Sequence, residues 1–307
     1  MYNNVMVDED NTKKLYVIPW RMGRVGKMRV IAADDVATAV ADLAAKANYY
    51  LPEDIYGEIV KMRNKEESGL GKELMLQLLE NAAIAARDNV PICQDTGMAV
   101  VFLELGQEVH IDGDLTLAVN RGIAQGYGDS YLRKSVVSDP LFIRKNTGDN
   151  TPAVMHVSIV SGDKLKIILA PKGFGSENMS AVRMLKPSDG IDGVKKFTID
   201  TVLAAGANPC PPIVIGMGLG GTMEKAALLA KQALLRPINR RNSNPDYASL
   251  EEELLALVNW TGVGPQGLGG TTTALAVNIE YYPTHIAGLP VAININCHAT
   301  RHAEIIL

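Results

Sequence analysis

The chain has 307 residues, 47% of them hydrophobic, and a mean hydropathy of +0.05, which is enough apolar material for one large core or two medium ones without covalent staples. A formal net charge of -4, a pI near 5.8 and scattered Lys and Arg exclude the basic footprint of a nucleic-acid binder. No stretch of about 18 uncharged apolar residues suggests a membrane partner, and Asp8, Glu9 and Asp10 disfavour a transit peptide, so a cytoplasmic protein is expected.

Residues 1–27 show no periodicity; they read as an extension or poorly ordered segment, an arm reaching a partner, or an unused upstream start. A helix then follows Asp34 and Asp35, residues favoured at a helix start, with Val36, Val40, Leu43 and Ala47 on one stripe and Pro52 closing it. A second helical pattern carries Ile55, Ile59 and Met62, and a third runs from Gly71 to Arg87. The apolar run Met98 to Leu105 suits a buried strand. Leu115 to Leu132 is helical in pattern, weakened by Gly122, Gly126 and Gly128. Ala153 to Val160 and Leu165 to Ala170, separated by Ser161, Gly162 and Asp163, predict a hairpin. Helices follow at Gly193 to Ala207, Met223 to Leu235 and Ala248 to Trp260, with strands at Ile213 to Ile215, Ala274 to Tyr282 and Leu289 to Ile295. Helices first, then strands and helices intermixed, give an α+β (mixed α/β) class.

The three cysteines each stand where an apolar element meets a Pro, Gly or polar turn: Cys93 in PICQDTG, Cys210 in NPCPP and Cys297 in NINCHATRH. Gln94, Asp95, Asn296 and His298 are poor neighbours for a cysteine that only fills core. An odd number argues against a disulfide framework, and no closely spaced pair offers a structural zinc site. Three separated thiolates suit an iron-sulfur cluster that leaves one iron free of protein ligands.

Six ordered motifs then resemble the alpha subunit of class I fumarases and the related L-tartrate dehydratases: PICQDTG, GDNTPA (Gly148 to Ala153), KGFGSENMS (Lys172 to Ser180), NPCPPIVIGMGLGGTMEKA (Asn208 to Ala226), GPQGLGGTTTA (Gly264 to Ala274) and NINCHATRHA. The resemblance covers about Leu51 to the end and implies an iron-sulfur hydro-lyase alpha-type catalytic domain over 28–307. It implies a [4Fe-4S] cluster held by Cys93, Cys210 and Cys297, a small dicarboxylic acid substrate, and a beta subunit that brings the catalytic base and forms a heterotetramer with this chain. Arg133, in SYLRKSVV, matches the family's substrate-binding arginine, and His285, in YYPTHIAG, its substrate-site histidine. Gln94 would donate to a substrate carboxylate; Asp95 would orient a proton carrier, act as acid, or simply cap its turn. Gly173 and Gly175 would let backbone approach the ligand. The Ser176-Glu177-Asn178 run in that loop favours fumarate over tartrate as substrate.

His298 and His302 fit either donors to cluster sulfur or helix-terminus packing. Two rivals stand beside this reading. Gly216, Gly218 and Gly221 match a dinucleotide fingerprint, although the following RPINRRNSNPD loop lacks the strand and acidic residue such a unit needs. A non-catalytic cluster carrier would explain why no base for proton abstraction stands out.

Overall fold

The computed structural model describes residues 28–307; the reading of residues 1–27 lies outside the described residues. The described chain begins with a short strand, β1 (Arg29–Ala32), before α1 (Ala33–Tyr49), whose first turn carries Asp34 and Asp35 at the positive end of the helix dipole. Val36, Val40, Leu43 and Ala47 of α1 point into the core. α2 (Glu53–Lys65) buries Ile55 and Ile59, and α3 (Gly69–Asp88) opens on Ser68, whose hydroxyl accepts from Gly71 N at 3.1 Å. β2 (Met98–Gly106), β3 (Val109–Asp112) and α4 (Leu115–Asp129) follow. Two of the three glycines expected to weaken α4 seat it: a Cβ would meet Ala37 O at 2.4 Å from Gly122 and Ala41 O at 2.7 Å from Gly126, so their bareness lets α4 lie against α1, while Gly128 faces open space.

β4 (Val154–Val160) and β5 (Leu165–Lys172) do not form the expected hairpin. β2 lies between them, parallel to β4 and antiparallel to β5. Their connecting turn straddles the end of β2 and bonds to it, with Gln107 N donating to Val160 O at 2.8 Å and Glu108 N to Gly162 O at 3.0 Å. The turn chemistry was legible, but a central strand supplied by earlier sequence satisfies the backbone groups a hairpin would have paired.

The second half contains α5 (Phe174–Glu177), β6 (Ala181–Leu185), α6 (Gly190–Ala205), β7 (Ile213–Gly220), α7 (Met223–Ala233), α8 (Pro245–Trp260), β8 (Ala274–Tyr282), β9 (Leu289–Asn296) and β10 (Ala303–Ile306). Asn244 caps α8 by accepting from Asp246 N at 2.9 Å, with Pro245 in the first turn, so the helix starts ahead of the expected Ala248. Two four-stranded mixed sheets result, in the orders β10-β5-β2-β4 and β6-β9-β7-β8, with a small parallel β1-β3 pair. One core packs α1 and α4 on the first sheet, and another packs α6 and α8 on the second. The fold is α+β, as the order of patterns implied. Among the described residues no helix is long and apolar enough to cross a membrane.

Candidate active site

Cys210 precedes β7 and Cys297 follows β9. Because Val214 pairs with Asn296 in the antiparallel register, both cysteines reach the same end of the second sheet. His298 ties their turns together: its N–H donates to Cys210 O at 3.4 Å and its Nδ1 stands 3.0 Å from the same oxygen. A carbonyl only accepts, so Nδ1 carries the hydrogen in that contact. Cys210 holds a left-handed backbone, φ 54, which costs a non-glycine residue about 1–2 kcal/mol.

Cys93 arrives from the loop ahead of β2. Its neighbour Ile92 shares an apolar cluster with Ala85, Ala299 and Cys297 itself, and Arg301 Nη2 donates to Asp95 O at 2.5 Å. The loop turns at Gly97, φ +75, where a Cβ would press within 2.7 Å of the Lys172 backbone, so only glycine fits. All three thiols are free. Burial pushes Cys210 and Cys297 up, and repulsion from neighbouring thiolates adds to it. Arg301 and Lys172, both buried, pull Cys297 the other way. Among the described residues no group of three His, Cys, Asp or Glu side chains is close enough to hold a single metal ion.

Beside Cys93 opens a cleft of about 610 Å³ lined by Asp95, Arg133, Ser135, Arg144, Phe174 and Asn178, among others. Arg133 and Arg144 give it two exposed guanidiniums, and no carboxylate but that of Asp95 lines it. That carboxylate is committed: Oδ1 accepts from Gly97 N at 3.1 Å and Oδ2 from Phe174 N at 2.9 Å. Asp95 therefore staples the Cys93 loop to the Gly173 loop, the turn-capping role among those expected of it. Gln94 is exposed next to Cys93, whose Sγ lies 3.2 Å from Gln94 Oε1.

Gly173 has an ordinary extended backbone (φ -71); a Cβ there would meet Asp95 Oδ2 at 3.2 Å, so its smallness serves the Asp95 staple. Gly175 is exposed on the same loop, where a Cβ would meet only Asn208 O at 3.4 Å. Ser176 and Glu177 turn inward. Lys172 Nζ donates to Ser176 Oγ and to Ile295 O, each at 2.8 Å, while Glu177 bridges Lys172 at 3.4 Å and Lys231 at 2.8 Å. Burial pushes Lys172 down to about 8, against the pull of Glu177. Asn178 alone of the Ser176-Glu177-Asn178 run lines the cleft.

A family model described as Fumarate hydratase (Fumerase) matches residues 37–306. The chain belongs to that family. It is therefore a hydro-lyase chain. It is 43% identical over 274 residues, 87% of this chain and 96% of the relative, to a protein of Methanocaldococcus jannaschii named "Putative L(+)-tartrate dehydratase subunit alpha". It is 31% identical over 278 residues, 90% of this chain and 92% of the relative, to "L(+)-tartrate dehydratase subunit alpha" of Escherichia coli K12.

Other residues singled out in the sequence lie elsewhere in the fold. His285 does not join the cysteines of its own chain. It follows β8, whose end pairs with the end of β7, and Thr284 Oγ1 donates to Gly221 O at 2.9 Å, so the loop sits at the opposite end of the sheet from Cys210. The eight residues of β7 separate the two ends by roughly 25 Å. The short sequence separation from His285 to Cys297 is taken up almost entirely by extended β9. His302 also leaves the site, lining a separate cavity with Lys166 and Glu304. No helix follows Cys297; Ala303–Ile306 is β10, paired with β5. Gly216 and Gly218 lie inside β7, where a Cβ would strike carbonyls of α7, so they seat a helix on a sheet and form no phosphate turn.

Three site residues escaped the sequence reading. Arg301 is buried with its Nε lacking a partner, Gln266 Nε2 donates to Pro211 O at 2.6 Å beneath the Cys210 turn, and Arg144 faces the cleft. The first two lie within motifs of the resemblance but carry no local signal of burial. Arg144 lies outside all six.

Proposed function

We propose that this chain is the alpha-type subunit of a [4Fe-4S] hydro-lyase that removes water from a hydroxylated four-carbon dicarboxylic acid, with L(+)-tartrate the leading substrate. The observation that carries the reading is that the Cys210 and Cys297 turns share one end of the second sheet and Arg301 ties the Cys93 loop to it, with Asp95 of that loop lining a cleft that bears Arg133 and Arg144. A cubane takes each thiolate on a different iron, so it suits three thiols presented by three separate loops. Buried Arg301, with an unpartnered Nε, and buried Lys172 favour a net-negative group at the same place. When bound, the cluster supplies a Lewis-acidic iron for the substrate's hydroxyl and adjacent carboxylate.

The chain's own residues bind and orient. The planar forks of Arg133 and Arg144 suit the two carboxylates of the substrate, and exposed Gln94 can donate to one of them. Asp95, with both oxygens engaged by backbone N–H groups, acts as a positioning residue between the Cys93 and Gly173 loops. That leaves the cleft without a free carboxylate or histidine among the described residues to abstract the proton, and a beta-type subunit is the natural source of that base. Relatives named as alpha subunits support this division. His285 would reach a substrate only in the site of a second copy, which a heterotetramer offers.

Tartrate leads because both relatives carry that name, and because Ser176 and Glu177 face Lys172, so the loop no longer argues for fumarate. Fumarate and malate are the second reading, favoured by the description of the family model. Anaerobic reconstitution of the chain with iron, sulfide and a beta-type subunit, assayed on L(+)-tartrate, D-tartrate, malate and fumarate, tests both. Turnover of L(+)-tartrate is expected; exclusive turnover of malate and fumarate would select the second reading. Brown, cluster-loaded complex inactive on all four would leave the non-catalytic carrier.

A further inference from the structure

Between Arg133 and Asn150 the chain builds a finger on the rim of the cleft. Its stem is a two-stranded turn: Val137 bridges Asn146, Ser138 N donates to Lys145 O at 2.8 Å, and Thr147 N donates to Val136 O at 2.9 Å. Its tip is a capped turn in which Asp139 Oδ1 accepts from the N–H groups of Leu141, Phe142 and Ile143 at 3.0, 2.5 and 3.1 Å, and Arg144 Nη1 donates to Pro140 O at 2.5 Å. The tip thus holds three consecutive large apolar side chains in fixed geometry. Leu141, Phe142 and Ile143 are nevertheless 70%, 85% and 77% exposed. Scattered exposed apolar residues need no explanation, whereas a contiguous patch raised on a hydrogen-bonded stem marks an interaction site.

We propose that Leu141, Phe142 and Ile143 form a docking anchor for the beta-type subunit that completes the cleft. The inference rests on the two-subunit reading above and names the surface that serves it. Pro140 and Arg144, on either side of the anchor, line the cleft, so a body seated on the tip stands over the substrate site. That cleft lacks a base of its own among the described residues, and Pro140 and Arg144 of the finger form part of its lining, so a body that supplies one meets this rim. The stem also reaches the first cysteine loop: Thr96 Oγ1 donates to Arg133 O at 3.0 Å, and buried Asn150 donates to Gly97 O at 3.1 Å while accepting from Ser135 N at 2.7 Å. The tip is thus linked through its stem to Arg133, Arg144 and the Cys93 loop.

The test compares the full chain with its Phe142→Asp variant for association with the beta-type subunit of the same organism, under anaerobic conditions, by calorimetry and light scattering. Phe142→Ser serves as the milder second variant should the aspartate disturb folding, which circular dichroism and the melting temperature of the isolated chain report. At least a tenfold weaker association is expected, roughly the loss of one buried aromatic anchor, with cluster content of the isolated chain unchanged. If the wild-type chain binds the beta-type subunit and both variants bind it equally well, the anchor is refuted while the two-subunit reading stands. If the wild-type chain does not bind it at all, the two-subunit reading fails and the anchor with it. If the variants only dissociate copies of this chain from each other, the occupant is a second copy and the proposal is overturned.

Discussion

The two ends of the β6-β9-β7-β8 sheet share strands and register yet differ in almost everything chemical. At one end stand Cys210, Cys297 and His298, with buried Arg301 and Lys172 behind them and each turn tied to the next by hydrogen bonds. At the other, the loop carrying His285 is exposed, Ile286 reaching 91%, and among the described residues its imidazole is met only by the N–H of Ala287 at 3.2 Å. A reactive group belongs where buried cations and fixed backbone converge, and nearness in sequence to Cys297 does not bring a side chain there. A strand between the two carries it away.

The largest effect expected from this contrast is at the thiols. Cys93→Ser, Cys210→Ser or Cys297→Ser abolishes turnover of the reconstituted complex and strips the brown absorption of the chain; any single variant retaining full iron content and rate removes that cysteine from the ligand set. Next comes Arg301→Met, which deletes the buried cation beside Cys297 and the donor to Asp95 O. Its activity should fall about 10–100-fold, the usual range for groups that orient metal ligands, with faster loss of iron to a chelator.

A buried ion pair in the second core sharpens the comparison, because it is as enclosed but lies away from the thiols. Glu251, fully buried, pairs with Arg236 and accepts from Ile279 N at 2.8 Å. Glu251→Ala should cost about 1–3 kcal/mol in chemical denaturation, because Ile279 N and Asn242 N lose their acceptor while Arg236 keeps Glu280 at 3.1 Å, yet change neither the absorption of the folded, cluster-loaded chain nor its substrate preference. Smaller is the pH effect of Lys172 in the cluster-free chain. Its folded value, about 8, lies below the usual 10.5, so between those limits the unfolded chain holds more protons and its contribution to stability rises with pH, being lost as pH falls through 8. The wild-type minus Lys172→Met difference in unfolding free energy should therefore climb by roughly 1 kcal/mol per pH unit from 8 to 10; a flat difference would show that Lys172 is not depressed. The smallest effect is at the far end: His285→Ala should leave the cluster content of the isolated chain unaltered, and loss of iron there would return His285 to its own chain's site.

Much of this was legible in the sequence because local chemistry enforces it. The stripe of α1, the buried run of β2 and the span of β8 follow from periodicity and length, as residues facing a core must repeat with the backbone that carries them. β1, β3, β6 and β10, short and mostly exposed, carry no such pattern and form only because a neighbouring strand offers its edge. β4 and β5 were found, yet their partner was not, since turn residues fix where a chain reverses and not what slips between the arms.

The same division runs through the site. The sequence by itself determined the family and singled out the three cysteines and Arg133 as candidates, because thiols in polar turns and six ordered motifs need no coordinates to be read. Only the tertiary structure decided that Asp95 is a staple, that Glu177 faces a lysine, that Arg301 lies buried behind the cysteines and that His285 stands a sheet's length away. Those facts depend on which strand pairs with which and on what each side chain displaces from water, quantities set by contacts between residues far apart in the chain.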